Sequence, residues 1–186
     1  ATWTVVFAKT DPAKGHRGIS AFVIPMDTPG VTIEKHLDKM GQRSTDTSAF
    51  ALTEVVVPVE NRIGEEGDGF KIAMKTLDFT RPGTAAGAVG VAQAAYELAV
   101  AYAKERVQFD RPIAGFQAIK HLCADMLVRT EVARAAVYAA GAHLDEPDEP
   151  GIDRGISGAK TLAGEAAIVN GKTAMQVFGG MGFTWE

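Results

Sequence analysis

The sequence predicts an α+β fold, a β-rich first part followed by an antiparallel helical bundle. Three observations carry that prediction. Of the 30 alanines, 7 lie in residues 1–80 and 23 in residues 81–186. The first stretch is built of short runs rich in Val, Ile, Phe and Thr, set apart by turn residues. From Phe70 onward the apolar residues recur at helical spacing.

Four strands are expected, at residues 2–8, 19–25, 31–37 and 48–57. Asp11-Pro12 through Gly15, Asp27-Thr28-Pro29-Gly30 and Gly41 supply the turns between them. Pro58 ends the last strand because proline cannot donate into a ladder. Gly64, Gly67 and Gly69 then form a loop whose Glu65, Glu66 and Asp68 would repel a phosphate, so it reads as a hinge.

The helical part opens with a short helix over residues 69–80. It is expected to stop at Arg81-Pro82, where proline biases its predecessor away from helix. A new helix then starts with Pro82 at its first position and runs to 106, with Val89, Tyr96, Val100 and Ala103 on one face. A second long helix follows Gly115 and carries the stripe Ile119, Leu122, Met126, Ala133, Val137, Ala140 and Leu144. The acidic stretch 145–150 reads as a surface loop. A third helix runs from about 153 through Leu162, Ala166, Val169 and Val177 to a stop at Gly179-Gly180. Three such helices with short connections imply an antiparallel bundle.

Composition closes several doors. Hydrophobic residues make up 46% and charged residues 23%, as in a packed globular protein. A net charge of −4 offers nothing to attract nucleic acid or an anionic membrane. No run reaches the roughly 18 apolar residues of a membrane span. A single cysteine, Cys123, forms no internal disulfide and suits a reducing compartment. It sits in an apolar helix and reads as inert. His16, His36, His121 and His143 have no metal-ligand spacing, so no metal site is expected. No nucleophile elbow or phosphate-binding lysine loop occurs, and Gly83-x-x-x-Gly87 reads as a close helix–helix approach. The chain starts at Ala1 with a strand at once and stops at Glu186 within a glycine turn, so it reads as an excerpt of a longer polypeptide.

Three constellations reach further. They are Met40-Gly41-Gln42-Arg43-Ser44-Thr45-Asp46-Thr47; Asp78-Phe79-Thr80-Arg81-Pro82 with Arg106-Val107-Gln108-Phe109 after the small-residue helix; and Gln176-Val177-Phe178-Gly179-Gly180-Met181-Gly182-Phe183. Each alone is also a turn, a kinked helix junction or a helix cap. In this order and spacing they resemble the acyl-CoA dehydrogenase family, medium- and short-chain type, across essentially the whole chain.

That resemblance implies a partial, incomplete β-barrel-like middle domain at 1–60 and a partial C-terminal helical domain at 69–186. It implies FAD as cofactor and α,β-dehydrogenation of an acyl-CoA thioester. Arg106, Gln108 and Phe109 match the residues that meet the adenosine-diphosphate end of a neighbouring subunit's FAD. Gln176, Gly179 and Gly180 match a second FAD-contacting segment. A planar guanidinium fork suits a pyrophosphate, an amide both donates and accepts, and glycines let backbone approach. With Arg106 and Gln176 at helix ends, both are expected to face one crevice. Arg81 matches a supporting catalytic and substrate-binding position, Asp78 a substrate-binding one; a simple ion pair between them is the plainer reading. The family's catalytic Glu would fall at Thr80, which cannot be a base, or in a loop beyond Glu186, so the piece alone is expected to be inactive. Glu186 matches a polar residue before that loop and not the base.

The implied partners are acyl-CoA, an electron-transfer flavoprotein and further copies of the chain as a dimer or tetramer. The implied location is the cytoplasm of a bacterium or the mitochondrial matrix. Two alternatives stay open: a non-catalytic subunit completing another subunit's FAD site, and an acyl-CoA oxidase or flavin monooxygenase on the same scaffold.

Overall fold

The computed structural model describes residues 2–145 and 152–184. The expected acidic loop beyond Asp145 and the residue Glu186 therefore lie outside the described residues. The chain divides into two compact units, residues 1–75 and 76–186.

In the first unit, β1 (Trp3–Lys9) and β2 (Ile19–Pro25) pair antiparallel over all seven residues, from Trp3 opposite Pro25 to Lys9 opposite Ile19. Asp11 caps the 3₁₀ turns between them, its Oδ1 accepting from the Ala13 amide at 3.1 Å. β3 (Val31–His36) and β4 (Ser48–Leu52) form a separate antiparallel pair with an irregularity between Ile33 and Lys35. β5 (Arg62–Ile63) joins the free edge of β2. Among the described residues these sheets are open, with no closed barrel.

The fourth strand stops five residues short of the expected 57. Its partner begins at Val31, opposite Leu52, because Gly30 turns the chain at φ +94°. The Thr53 amide still donates to the Gly30 carbonyl at 3.0 Å, but no strand pairs residues 54–57 among the described residues, and Glu54 turns to φ +50°. The glycine loop after Ile63 is anchored rather than a free hinge. The Gly67 amide donates to the fully buried Ser20 Oγ at 2.9 Å, and Ser20 also bonds Thr10 Oγ1 at 2.8 Å. A Cβ on Gly67, itself at φ +90°, would stand 2.6 Å from the Arg17 carbonyl.

α1 (Gly69–Glu105) overturns the expected break at Arg81-Pro82: it is one helix of 37 residues with Pro82 inside it. Proline already has helical φ, so its cost is the one hydrogen bond its nitrogen cannot donate to Asp78 and the crowding of that carbonyl. Against this stand the buried Pro82 ring and two extra backbone contacts. Thr80 Oγ1 donates to the Thr76 carbonyl at 2.9 Å, and Thr84 Oγ1 to the Thr80 carbonyl at 3.3 Å.

α2 (Gln117–Asp145) and α3 (Ile152–Phe178) complete the second unit. Three small cores fix how the helices run. Ala85, Val89 and Ala92 meet Ala133, Ala163 and Ala166. Ala99 and Ala103 meet Met126, Ala174 and Val177. Ala140 meets Ile156 and Ala159. Ascending α1 thus descends α2 and ascends α3, an antiparallel arrangement in which α2 runs against both neighbours.

Alanines seven apart (85, 92, 99; 133, 140) form the seam, so backbones lie close and larger residues stand outside. For that reason Tyr96 and Val100 are only partly buried and Leu162 is 41% exposed, against expectation. Gly83 and Gly87 face outward, and a Cβ on either would meet nothing within 4 Å. The expected close helix approach at these two glycines does not occur among the described residues.

Candidate functional site

The end of α1 and the end of α3 enclose a pocket of about 430 Å³ in the second unit. Arg106 follows the last residue of α1, its amide still bonded to the Tyr102 carbonyl at 2.8 Å. Its own carbonyl accepts from Ile113 at 2.8 Å, which closes a two-strand hairpin. In that hairpin β6 (Val107–Gln108) pairs with β7 (Arg111–Pro112), Gln108 opposite Arg111. The two-residue loop is Phe109 at φ +53° and Asp110 at φ +60°. Positive φ at both central residues marks the turn whose twist matches a hairpin. Behind it the Arg111 guanidinium lies 4.0 Å over the Phe116 ring, and Phe116 meets Phe109 edge-on at 6.0 Å.

Opposite, α3 terminates at Phe178 and Gly179 takes the left-handed conformation at φ +62°, as helix ends commonly do. The turn then folds back so tightly that a Cβ on Gly182 would lie 2.7 Å from the Met175 carbonyl. Tyr102 packs on Phe178 and joins the two helix ends.

Arg106, Gln108, Gly179 and Gly180 line one pocket, whereas Gln176, expected to face the same crevice as Arg106, is not among its lining residues. Phe109 stands outside its lining as an 85% exposed ring at the hairpin tip, and Gln176 is exposed just before the pocket wall. Tyr102, Ile113 and Met181 line it too and were not anticipated. Tyr102 could have been, since it sits one helical turn before Arg106 on the same face.

No carboxylate pairs with Arg106 among the described residues, and no acid lines the pocket. An unpaired guanidinium and an amide facing glycine backbone are donor-rich and fit a phosphate or diphosphate. A metal finds no such home: no group of three or more His, Cys, Asp or Glu could hold one among the described residues.

Asp78 and Arg81 do come together, one turn apart on α1 with Nη1 and Oδ1 2.5 Å apart. Arg81 lies 25 residues and Asp78 28 residues before Arg106, which directly follows α1, so roughly 38 and 42 Å separate them along the helix axis. Thr80 between them spends its hydroxyl on backbone carbonyls. The Met40–Thr47 stretch is a self-bonded loop. Lys39 Nζ donates to the Thr45 carbonyl at 2.6 Å, and Arg43 bonds the Lys39 carbonyl and Asp38. At its base, Asp46 sits below the usual carboxylate range because it accepts a hydrogen bond from His36. Burial pushes the Cys123 thiol up, in keeping with an inert side chain.

Comparison with known proteins follows the same division. Residues 67–186 match the family model of the acyl-CoA dehydrogenase C-terminal domain, and residues 1–55 that of the acyl-CoA dehydrogenase middle domain. The short-chain specific acyl-CoA dehydrogenase of Megasphaera elsdenii is 46% identical over 98% of this chain and 47% of its own. The solved butyryl-CoA dehydrogenase of that organism superposes with a TM-score of 0.93 at 44% identity, over 99% of this chain and 48% of the other. A chain in the structure of the electron transferring flavoprotein of Acidaminococcus fermentans does so with the same score at 43%, over 99% and 48%. The chain spans about half the length of the curated relatives it matches. No helix is long and apolar enough to cross a membrane among the described residues. With two family models covering both units in chain order, the chain belongs to the acyl-CoA dehydrogenase family.

Proposed function

We propose that the whole protein is an FAD-dependent dehydrogenase that introduces an α,β double bond into a short acyl-CoA thioester. The observation that carries this reading is the unpaired Arg106 with Gln108 across one pocket from Gly179 and Gly180, in a chain of this family. Arg106 and Gln108 would hold the cofactor's diphosphate, and the glycine turn would admit it without side-chain obstruction. FAD, when bound, supplies the hydride acceptor.

Asp78 and Arg81 work at the other end of α1. The Arg81 guanidinium, kept in place by Asp78, orients the thioester and the base that removes the α-proton. Thr80 has no ionisable group for that role. The family's other position for the base lies downstream of the Gly179–Phe183 turn. A short acyl group is supported by the short-chain specificity in the relatives' names. An electron-transferring flavoprotein as acceptor is supported by the Acidaminococcus structure.

The test is anaerobic. Full-length protein should purify with a flavin spectrum that butyryl-CoA bleaches within the mixing time of a stopped-flow experiment. A colourless protein that takes up no FAD contradicts the proposal. Fast reoxidation of the reduced flavin in air would make it an oxidase instead.

A further inference from the structure

The helical unit has a seam that does not choose its own register. Ala85, Ala92 and Ala99 on α1, Ala133 and Ala140 on α2, and Ala159, Ala163 and Ala166 on α3 are all buried. Sliding α3 by four residues, about 6 Å, brings Ala163 and Ala167 into the places of Ala159 and Ala163, and Asn170 into that of Ala166. Val89, Met126, Ile156 and Val177 resist such a slide through volume alone, and a methionine adapts its shape.

One residue resists through direction. Asn170 on α3 is wholly buried. Its Nδ2 lies 3.3 Å from the Ala92 carbonyl of α1, 3.0 Å from the Met126 carbonyl and 3.0 Å from Thr130 Oγ1 of α2. Its Oδ1 accepts from Arg129 at 3.2 Å. Thr130, also fully buried, is itself fixed by the Met126 carbonyl at 2.8 Å. A slide would carry the carboxamide into the alanine seam without partners, among the costlier errors in a packed interior. A single buried polar group is the best-attested device for fixing helix register.

Asn170 lies two helical turns before Val177, the first residue of α3 to line the pocket. We infer that Asn170 is a positioning residue: it sets the axial register of α3 against α1 and α2, and so holds the Gly179–Met181 turn opposite Arg106 and Gln108. Its consequence for FAD rests on the function proposed above; its consequence for register does not.

Asn170→Leu removes the directional bonds at similar volume and strands no backbone carbonyl, because Ala92 and Met126 keep their helix partners. Full-length protein with its native cysteines replaced, Cys123→Ser among them, would carry nitroxides at the exposed positions 98 and 172, diluted with unlabelled chains. The parent should give one narrow distance, and Asn170→Leu a second or broadened one displaced by about 5 Å, with an unchanged or higher urea midpoint. FAD affinity should fall by about tenfold, the loss of one good polar contact. Asn170→Ala, which fits the alanine seam, serves if the leucine variant does not fold. A single, unshifted distance in a folded variant overturns the inference. A displaced distance with unchanged FAD affinity upholds it and counts instead against the cofactor pocket.

Discussion

The Tyr102 and Phe178 rings meet at a centroid distance of 4.4 Å with planes 33° apart, tying the end of α1 to the end of α3. Arg106 comes one turn after the first ring, and Gly179 directly follows the second. The pair therefore sets the width of the pocket between them. Tyr102→Ala should cost roughly 2 kcal/mol, a half-buried aromatic lost with its ring partner. Tyr102→Phe should cost almost nothing, because the hydroxyl has no partner among the described residues. Urea midpoints of the two variants decide it; an equal loss in both would assign the effect to the hydroxyl.

Arg106→Ala should weaken FAD retention by about tenfold, since a charge-assisted bond contributes roughly 1.5–3 kcal/mol and exposure to solvent favours the lower figure. Arg106→Lys should fall between, keeping the charge and losing the planar fork. Acyl-CoA affinity of the flavin-loaded enzyme should not move. Equilibrium dialysis of FAD against each variant is the measurement, and parent-like retention in the alanine variant rules the assignment out.

Pro82→Ala restores a donor opposite the Asp78 carbonyl. Proline is about 3 kcal/mol worse than alanine inside a helix, from which the lost buried ring and the looser unfolded chain subtract. A net gain of roughly 1 kcal/mol is expected in chemical denaturation, with slowed amide exchange at 82–86. A loss of stability would mean that the buried ring outweighs the missing bond.

Asp110 occupies a left-handed conformation better suited to glycine. Asp110→Gly should stabilise the hairpin by up to about 0.5–1 kcal/mol, Asp being among the residues that tolerate such φ best. Asp110→Val should destabilise by more, since a β-branched side chain tolerates that φ poorly. Thermal unfolding of the pair checks the sign in each direction.

His36 and Asp46 give a pH signature. A carboxyl held below its unfolded value contributes stability above that value and loses it as pH falls through the lower, folded one. The contribution of this pair is therefore present at neutral pH and fades only in acid, below the usual carboxylate range. His36→Ala should bring the Asp46 titration back up toward that range, read from its carboxyl carbon by NMR. An unmoved midpoint would exclude the hydrogen bond from His36 as the cause.

Helix identity was largely legible in the sequence, because spacing of three and four survives whatever packs on it. Which residues face inward was less so. Leu162 and Tyr96 look like core by hydrophobicity, yet an alanine seam draws backbones together and leaves no room for them. Pro82 misled for a related reason: a local preference at Arg81 yields when burial of the ring and the threonine hydroxyls act with the helix. The 53–57 stretch has strand residues and no partner strand, and pairing cannot be read from one segment alone. At the pocket, Arg106 and the glycines are legible as motifs. The hairpin is not, because Phe109-Asp110 lacks the glycine that usually announces such a turn.

The unbroken length of α1 has a consequence for genetics. Arg81 and Arg106 are carried on one rigid rod at a separation no single reacting centre can span, roughly 38 Å. Under the proposed function, one chain's Arg81 then serves one centre and its Arg106 another. Two defective alleles, one altered at each arginine, would each be impaired alone at limiting FAD. Co-expressed, they would assemble some centres with both arginines intact, and growth on the substrate would return.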